Sequence, residues 1–492
     1  MIFNENIDTQ TILMKTKLKA SILCLLFPML LHGQEIGVLR MGLDTVGFKG
    51  NAAVWGGAEE GGYRPIHAAS FQWTAGAEAK AVSHGENTSW TGALSFEQMM
   101  GQYKNRNGYS MLLDPDYFPL DIVEFSPGTK SRETVRLEGG FLRDFGYELA
   151  VGIKASVEAA YTSKQNVISH KDFGMTVQVE PTVTYVMDED MGLVSTYVAR
   201  FRTENLRAEQ RGADGGISPF LDMGLRYGAY LPDGNSYLQN GAFMVQEFSQ
   251  GFSELLYNPE LSLGLEILWK RGKAGNDRFK YPGSTLSAFY EQTVEEDNAD
   301  HVYHVSYRRE RDQLKENRSE GGLLAVSDRV GRSLDLKYEA RFLQGVFRSV
   351  GIALDGSRWS ERSTIIPSFQ DKVVRYDGTA TLLSSFSFGI VDLDLHAAAG
   401  RGWWKDRGRA GREDAGDVDS VGDYIRRTDD WLRKMDYLTA SRIDLGGTVT
   451  CRIPPVKGMY VQLYGCWRRA FNVTRLPGKN REIGQLTIGY NF

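Results

Sequence analysis

Apolar and polar residues alternate with period two through most of the chain, from about residue 68 to residue 492. Such alternation is the pattern of a β-strand with two unlike faces. The clearest run is 147–161. Tyr147, Leu149, Val151, Ile153, Ala155, Val157, Ala159 and Tyr161 share one face, against Glu148, Gly152, Lys154, Ser156 and Glu158 on the other. Soluble strands usually end after about five or six residues. A run this long, with a tyrosine near each end, suits a tilted strand that crosses a bilayer. The same contrast separates Leu334, Leu336, Tyr338, Ala340 and Phe342 from Asp335, Lys337, Glu339 and Arg341. It also separates Met459, Val461, Leu463 and Trp467 from Gln462, Tyr464 and Arg468.

Antiparallel sandwiches alternate too. Three features favour a membrane barrel: apolar faces that end in aromatics, polar faces rich in charge, and a last run with Leu486, Ile488, Tyr490 and Phe492 opposing Gln485, Thr487, Gly489 and Asn491. That last run resembles the C-terminal assembly signal of Gram-negative outer-membrane barrels. The resemblance implies partners: the barrel-assembly machinery acting through the Tyr490 and Phe492 strand, and outer-membrane lipid and lipopolysaccharide. The fold class expected is all-β, a transmembrane antiparallel β-barrel of about 16–18 strands in one domain, because strand edges in lipid must close on one another.

Counting runs gives seventeen, whereas bacterial single-chain barrels have even strand numbers. The count includes 217–230 but not 231–257, which falls on the periplasmic side although too long for an inner turn; it could hide a strand near 240–250, but that strand would shift the phase of everything before it. The first run, 68–81, enters from the wrong side unless residues 35–60 supply a strand before it. Short inner turns are expected at Pro454-Pro455, Ser387-Phe388-Gly389, Arg143–Gly146 and Asp188–Asp190. Long outer loops are expected at 103–131, 204–216 and 403–435.

The N-terminus has a different character. Met14 to Lys19 is basic, and Ser21 to Leu31 is an apolar run of signal-peptide length. We expect a signal peptide at 1–34, with Met14 the true start. Residues 35–66 are expected to form a plug or a first strand, and 67–492 the transmembrane barrel. With the signal ending near Gly33-Gln34 and the Tyr490-Asn491-Phe492 terminus, the chain resembles the large outer-membrane barrels of Bacteroidota.

Composition narrows the function. The chain has 492 residues, 42% hydrophobic and 24% charged, with a formal net charge of -5 and three cysteines. It is too apolar for disorder, not basic enough for a nucleic-acid binder, and too poor in cysteine for a disulfide scaffold. Cys451 and Cys466 are expected to lie about six residues out of register on opposite faces, so no disulfide is expected. His304 and Ser306 share a face of one strand, too far apart for a nucleophile–base pair. We expect no enzyme, no catalytic residue, no metal and no cofactor.

Arg375, Asp377, Asp392, Asp394, His396, Arg442, Asp444 and Arg468 fall on the polar faces of four successive strands. They are the lumen or selectivity candidates, since fixed charges along a pore present fields to a passing solute. They could equally pair across strands and stiffen the wall. In the loop 403–435, the carboxylates Glu413, Asp414, Asp417, Asp419 and Asp423 lack a calcium-loop order, and 423–435 could form a short helix. The leading function is a channel or transporter for a small solute. The alternative is a non-conducting accessory barrel in an outer-membrane complex, and a membrane-embedded hydrolase ranks third.

Overall fold

The computed structural model describes residues 47–65, 67–104, 107–108, 121–146, 148–165, 168–188, 191–210, 220–222, 227–230, 243–275, 277–317, 323–365, 369–407, 420–421, 424–426 and 428–492. The expected signal peptide at 1–34, residues 35–46 and the carboxylates 413–423 lie outside them.

The chain begins its described course with β1 (Gly47–Gly61), β2 (Phe71–His84) and β3 (Thr88–Tyr103). Two short strands follow, β4 (Asn107–Gly108) and β5 (Asp121–Glu124), then β6 (Gly128–Asp144), β7 (Leu149–Gln165), β8 (Ile168–Asp188) and β9 (Met191–Gln210). Short β10 (Phe220–Asp222) and β11 (Tyr227–Tyr230) precede β12 (Phe243–Tyr257), β13 (Leu261–Ala274), β14 (Phe279–Glu295) and β15 (Ala299–Asn317). Next come β16 (Leu323–Phe342), β17 (Phe347–Ile365), β18 (Phe369–Phe388) and β19 (Val391–Asp406). Short β20 (Ser420–Val421) and β21 (Tyr424–Arg426) lead into helix α1 (Thr428–Thr439), and β22 (Ser441–Arg452), β23 (Met459–Phe471) and β24 (Asn480–Asn491) complete the chain.

Eighteen of these strands form one antiparallel sheet in which each pairs with the next long strand in the chain and β24 pairs back onto β1. The seam is tight: the Gly50 amide donates to the Phe492 carbonyl at 2.8 Å, and the Phe492 amide returns the bond to Gly50 at 2.9 Å. A closed sheet leaves no edge to be satisfied by lipid. The outward positions form an apolar belt, with Leu334, Leu382, Leu463 and Ile488 all exposed. An even-stranded closed barrel with polar residues inside and this belt outside is the architecture of outer-membrane barrels.

Both ends of the chain's barrel course lie at the rim of short turns, such as 145–148, 258–260, 343–346 and 389–390. This rim is the inner one, and the long connections mark the outer.

Of the two forms expected for 35–66 the structure has the first strand, β1, so the barrel starts at residue 47 rather than 67. Two strand expectations need correction. The segment 217–230 is no barrel strand; it supplies β10 and β11 of a separate small sheet. The segment 231–257 holds the missing strand, β12 at 243–257. Exchanging one strand for the other keeps the phase, and β1 makes the count even. Cys451 lies opposite Val461 and Cys466 opposite Gly446, a slip of five rather than six residues. No disulfide joins them.

Candidate functional site: the lumenal wall and the outer cap

The inner surface is built by one phase of each strand. On β18 this phase carries Arg375 and Asp377, on β19 Asp392, Asp394 and His396, on β22 Arg442 and Asp444, and on β23 Arg468. The register brings some of them together. Asp444 is directly opposite Arg468, and Arg468 Nε donates to Asp444 Oδ1 at 2.8 Å. Arg442 reaches across β19 to Asp377 at 3.3 Å and donates to Thr379 Oγ1 at 2.9 Å. Arg375 is directly opposite Trp404, close under the outer rim.

The other three sit far below. Asp377 is level with Gly402 on β19, ten residues from Asp392, or roughly 33 Å along the strand at about 3.3 Å per residue. Asp392 accepts from Ser387 Oγ at 2.7 Å and pairs with Arg452 beside the inner turn. Asp394 is exposed and accepts from Ser385 Oγ at 2.6 Å. His396 stacks on Tyr464 with ring centroids 6.3 Å apart. The eight residues therefore share a wall but divide into an outer group, in which Arg442–Asp377 and Arg468–Asp444 pair, and an inner group of Asp392, Asp394 and His396.

His304 and Ser306 both face inward but serve different partners. His304 Nδ1 meets Glu291 at 3.2 Å, and Ser306 donates to Asp335 at 2.9 Å.

The sequence left open that the loop 403–435 folds over the mouth, but not that three connections share one sheet there. The connections β3–β6, β9–β12 and β19–β22 contribute short strands to a six-stranded sheet of order β20-β21-β11-β10-β5-β4. These connections leave the barrel at separate points of its circumference, so the sheet that unites them must cross the mouth. At about 4.8 Å per strand it is roughly 24 Å wide.

One side of the sheet is pinned to β7, where Lys164, fully buried, forms an ion pair with Glu124 of β5 and donates to Ser126 Oγ at 2.6 Å. The other side leads through β21 into α1, which packs on β18 and β19. Trp431 and Met435 of α1 are buried against Val373, and Trp404 meets Trp431 edge-on at 4.9 Å. β7 and β18 are the fifth and fourteenth of the eighteen strands, so the two anchors lie on opposite sides of the barrel.

Gly402 makes the second anchor possible. A Cβ there would stand 2.7 Å from the Thr439 Cα and 3.0 Å from the Leu438 carbonyl oxygen. The helix is also tied from above. Tyr63 donates its hydroxyl to the Tyr437 carbonyl at 3.1 Å, and Asp436 accepts from the Arg475 amide at 2.9 Å. Burial holds the Tyr63 phenol above its ordinary pKa, an effect partly opposed by the Arg442 and Arg468 charges. The phenol therefore stays a donor.

Burial at the outer rim extends well beyond the two anchors, from β8 to β16. Inward residues there are buried on β8 (His170, Asp172), β9 (Leu206), β12 (Phe243, Val245), β14 (Phe279, Tyr281), β15 (Leu314, Glu316) and β16 (Ser327, Arg329). Of the residues that hold the cap, Lys164 lies three polar-phase positions after Glu158, on a run that the sequence shows clearly. Tyr63 and Gly402 carry no such signal.

No protein-family model and no curated protein sequence matches the chain. Solved barrels do. The alcaligin outer-membrane receptor FauA from Bordetella pertussis matches with a TM-score of 0.41 at 10% identity, covering 90% of this chain and 76% of that one. OccAB3 from Acinetobacter baumannii matches with a TM-score of 0.35 at 9% identity, over 90% of this chain and 99% of that one. CdiB from the same organism gives 0.39 at 8% identity over 90% of this chain, which spans only 60% of the CdiB chain. At these identities and scores none transfers a function to this chain.

Proposed function

We propose that this chain is an outer-membrane barrel that passes a small solute and is held shut at its outer mouth by the cap. The observation that carries the reading is the strap across the mouth, pinned at Lys164–Glu124 on one side and by α1 on the opposite wall, above a polar inner surface. Eighteen strands enclose enough space for an aqueous path. Arg375, Asp377, Arg442, Asp444 and Arg468 would line its outer part, and Asp392, Asp394 and His396 its inner part. No residue is assigned a catalytic role, since His304 and Ser306 are engaged by different carboxylates.

Planar-bilayer recording of the folded full chain tests this. Wild type should conduct rarely, and a variant with the cap unpinned should show frequent stable steps. Silence in both would sink the transport reading.

A second reading is favoured by the buried outer rim itself: a barrel whose mouth is filled serves as an accessory subunit of an outer-membrane complex. Stoichiometric co-purification of a partner protein with a silent barrel would select it. The β24 strand with Tyr490 and Phe492 is the part we read as engaging the assembly machinery. On its termini alone, we also read the chain as a barrel of Bacteroidota.

A further inference from the structure

Almost every inward cation of the barrel has a carboxylate partner, as in Arg329–Glu361, Lys337–Glu339 and Arg442–Asp377. The outward face of β15 to β17 breaks this habit. Arg309 stands directly opposite Arg332 in the β15–β16 register, and Arg332 directly opposite Arg358 in the β16–β17 register. Directly opposed side chains have Cβ atoms about 4.5–5.5 Å apart, and like charges there destabilise the sheet. Among the described residues no carboxylate pairs with Arg309 or Arg332. Two steps further toward the rim Arg362 lies opposite Lys372 on one side and Asp328 on the other, and Asp328 pairs with Arg311, so the row without a carboxylate is confined to Arg309, Arg332 and Arg358.

The row has a definite height. Below it on the same phase lie Tyr307, Leu334 and Leu354, all exposed members of the apolar belt. From Arg332 to Phe342 at the inner edge is ten residues, about 33 Å along the strand or roughly 25 Å along the membrane normal at a typical tilt of about 40°. That is the thickness of the apolar band of such barrels, which puts the arginines at the headgroup level of the outer leaflet. The row continues sideways into an aromatic pair. Arg358 lies over Tyr376 at 6.0 Å, and Tyr376 stacks on Trp403 at 5.2 Å, with Trp403 half exposed.

We propose that Arg309, Arg332 and Arg358 bind the phosphates of an outer-leaflet glycolipid, the bisphosphorylated headgroup of lipopolysaccharide, with Tyr376 and Trp403 against its sugar. This rests on the outer-membrane reading and is independent of transport. Opposed arginines are unfavourable by themselves but form a ready array for a ligand with several negative oxygens, since guanidinium and phosphate match in charge and geometry. Charge complementarity selects this occupant over a protein partner, because the patch continues downward into lipid-facing apolar surface.

The test uses the folded full chain in neutral detergent, with bisphosphorylated lipid A, the same lipid without phosphates, and inorganic phosphate as probes. Thermal melting and native mass spectrometry provide the readouts. Lipid A should bind one-to-one and raise the melting temperature. The R309Q/R332Q/R358Q variant should bind it roughly 100-fold more weakly, taking about 1 kcal/mol for each cation. Without lipid, R332Q should melt at or above wild type, because it relieves a like-charge contact; this single variant serves if the triple does not fold.

Equal binding by the variants, equal binding of the dephosphorylated lipid, or an equal shift with inorganic phosphate would each overturn the proposal. So would a lower melting temperature of R332Q without lipid, which would make the arginine a structural element. A chain that forms no heat-modifiable barrel in detergent would instead remove the outer-membrane reading underneath. A barrel that binds lipid but stays silent in bilayers would remove only the transport reading.

Discussion

The outer rim of the barrel and the inner ends of β19, β22 and β23 belong to one inner surface, yet they use charge in opposite ways. At the rim Lys164 and Glu124 are buried together, with side chains 0% and 2% exposed. At the inner end Asp392 and Arg452 also pair, but Arg452 is 58% exposed, and Asp394 is exposed beside them. A buried pair is costly to break, because removing one partner strands the other charge away from water. A solvated pair contributes little and is easily replaced. The rim is therefore built to hold its charges in place, whereas the inner wall leaves its charges solvated.

The sharpest way to break this contrast is Lys164→Met. It leaves Glu124 buried without its cation and should cost the closed cap about 3–5 kcal/mol. Single-channel openings should become frequent, and protease should cut the 104–127 connection. Adding Glu124→Leu should restore closure; an unchanged record from Lys164→Met would mean that the pair does not hold the cap. Next in size is Gly402→Val, which drives side-chain atoms into the end of α1 and should cost about 1–3 kcal/mol of helix docking. A red shift of the emission of Trp431 would report its release from Val373.

Tyr63→Phe removes the hydrogen bond to the Tyr437 carbonyl and should weaken the same docking by about 1 kcal/mol. It also carries a pH signature. Burial raises the phenol pKa in the folded state above its ordinary value near 10. The stability it contributes is thus complete below pH 10 and is lost as pH rises through the folded value. Wild-type docking should weaken in that alkaline range, and Tyr63→Phe should lose that dependence. The smallest effect is expected at the inner wall. Asp392→Asn with Asp394→Asn should lower cation preference only a few-fold, read as a reversal-potential shift under a salt gradient, with no change in melting temperature.

Legibility followed contrast between faces. β7 and β16 were plain because their outward residues are apolar and their inward ones polar. β12 could be suspected near 240–250 but not counted, because both phases carry apolar residues: Phe243, Val245, Leu255 and Tyr257 point inward under cover, while Met244, Phe248 and Phe252 face out. The inward cover that erased the alternation comes from the cap and from Phe289, packed with Leu255 and Tyr257, neither of which a local pattern reveals. β10 and β11 were mistaken for a barrel strand because strands of the cap alternate like any others.

β1 was ambiguous for another reason. Its small residues make room for neighbouring rings. A Cβ at Gly50 would meet the ring of Phe492 at 2.3 Å, and conversely β1's Trp55 fills the place where a Cβ at Gly76 of β2 would stand, 2.5 Å from its ring. The bulk that marks these places sits on the partner strand, more than four hundred residues away in the case of Phe492. Of the eight wall candidates, facing direction was readable from phase alone. Their split into two levels was not, since it depends on where each turn sets the register.

The seam between β1 and β24 has a consequence for how the chain comes to exist as a barrel. Asn51 and Asn491, bonded at 2.7 Å, are 440 residues apart in sequence. Joining ends that distant costs about 5 kcal/mol of chain entropy on a logarithmic loop estimate, and nothing is returned until the two strands zip. Until then every partial sheet shows two raw edges, each a template for another chain. Closure is thus the final commitment of folding: a polypeptide interrupted just short of β24 holds most of its contacts and still has an adhesive margin on either side.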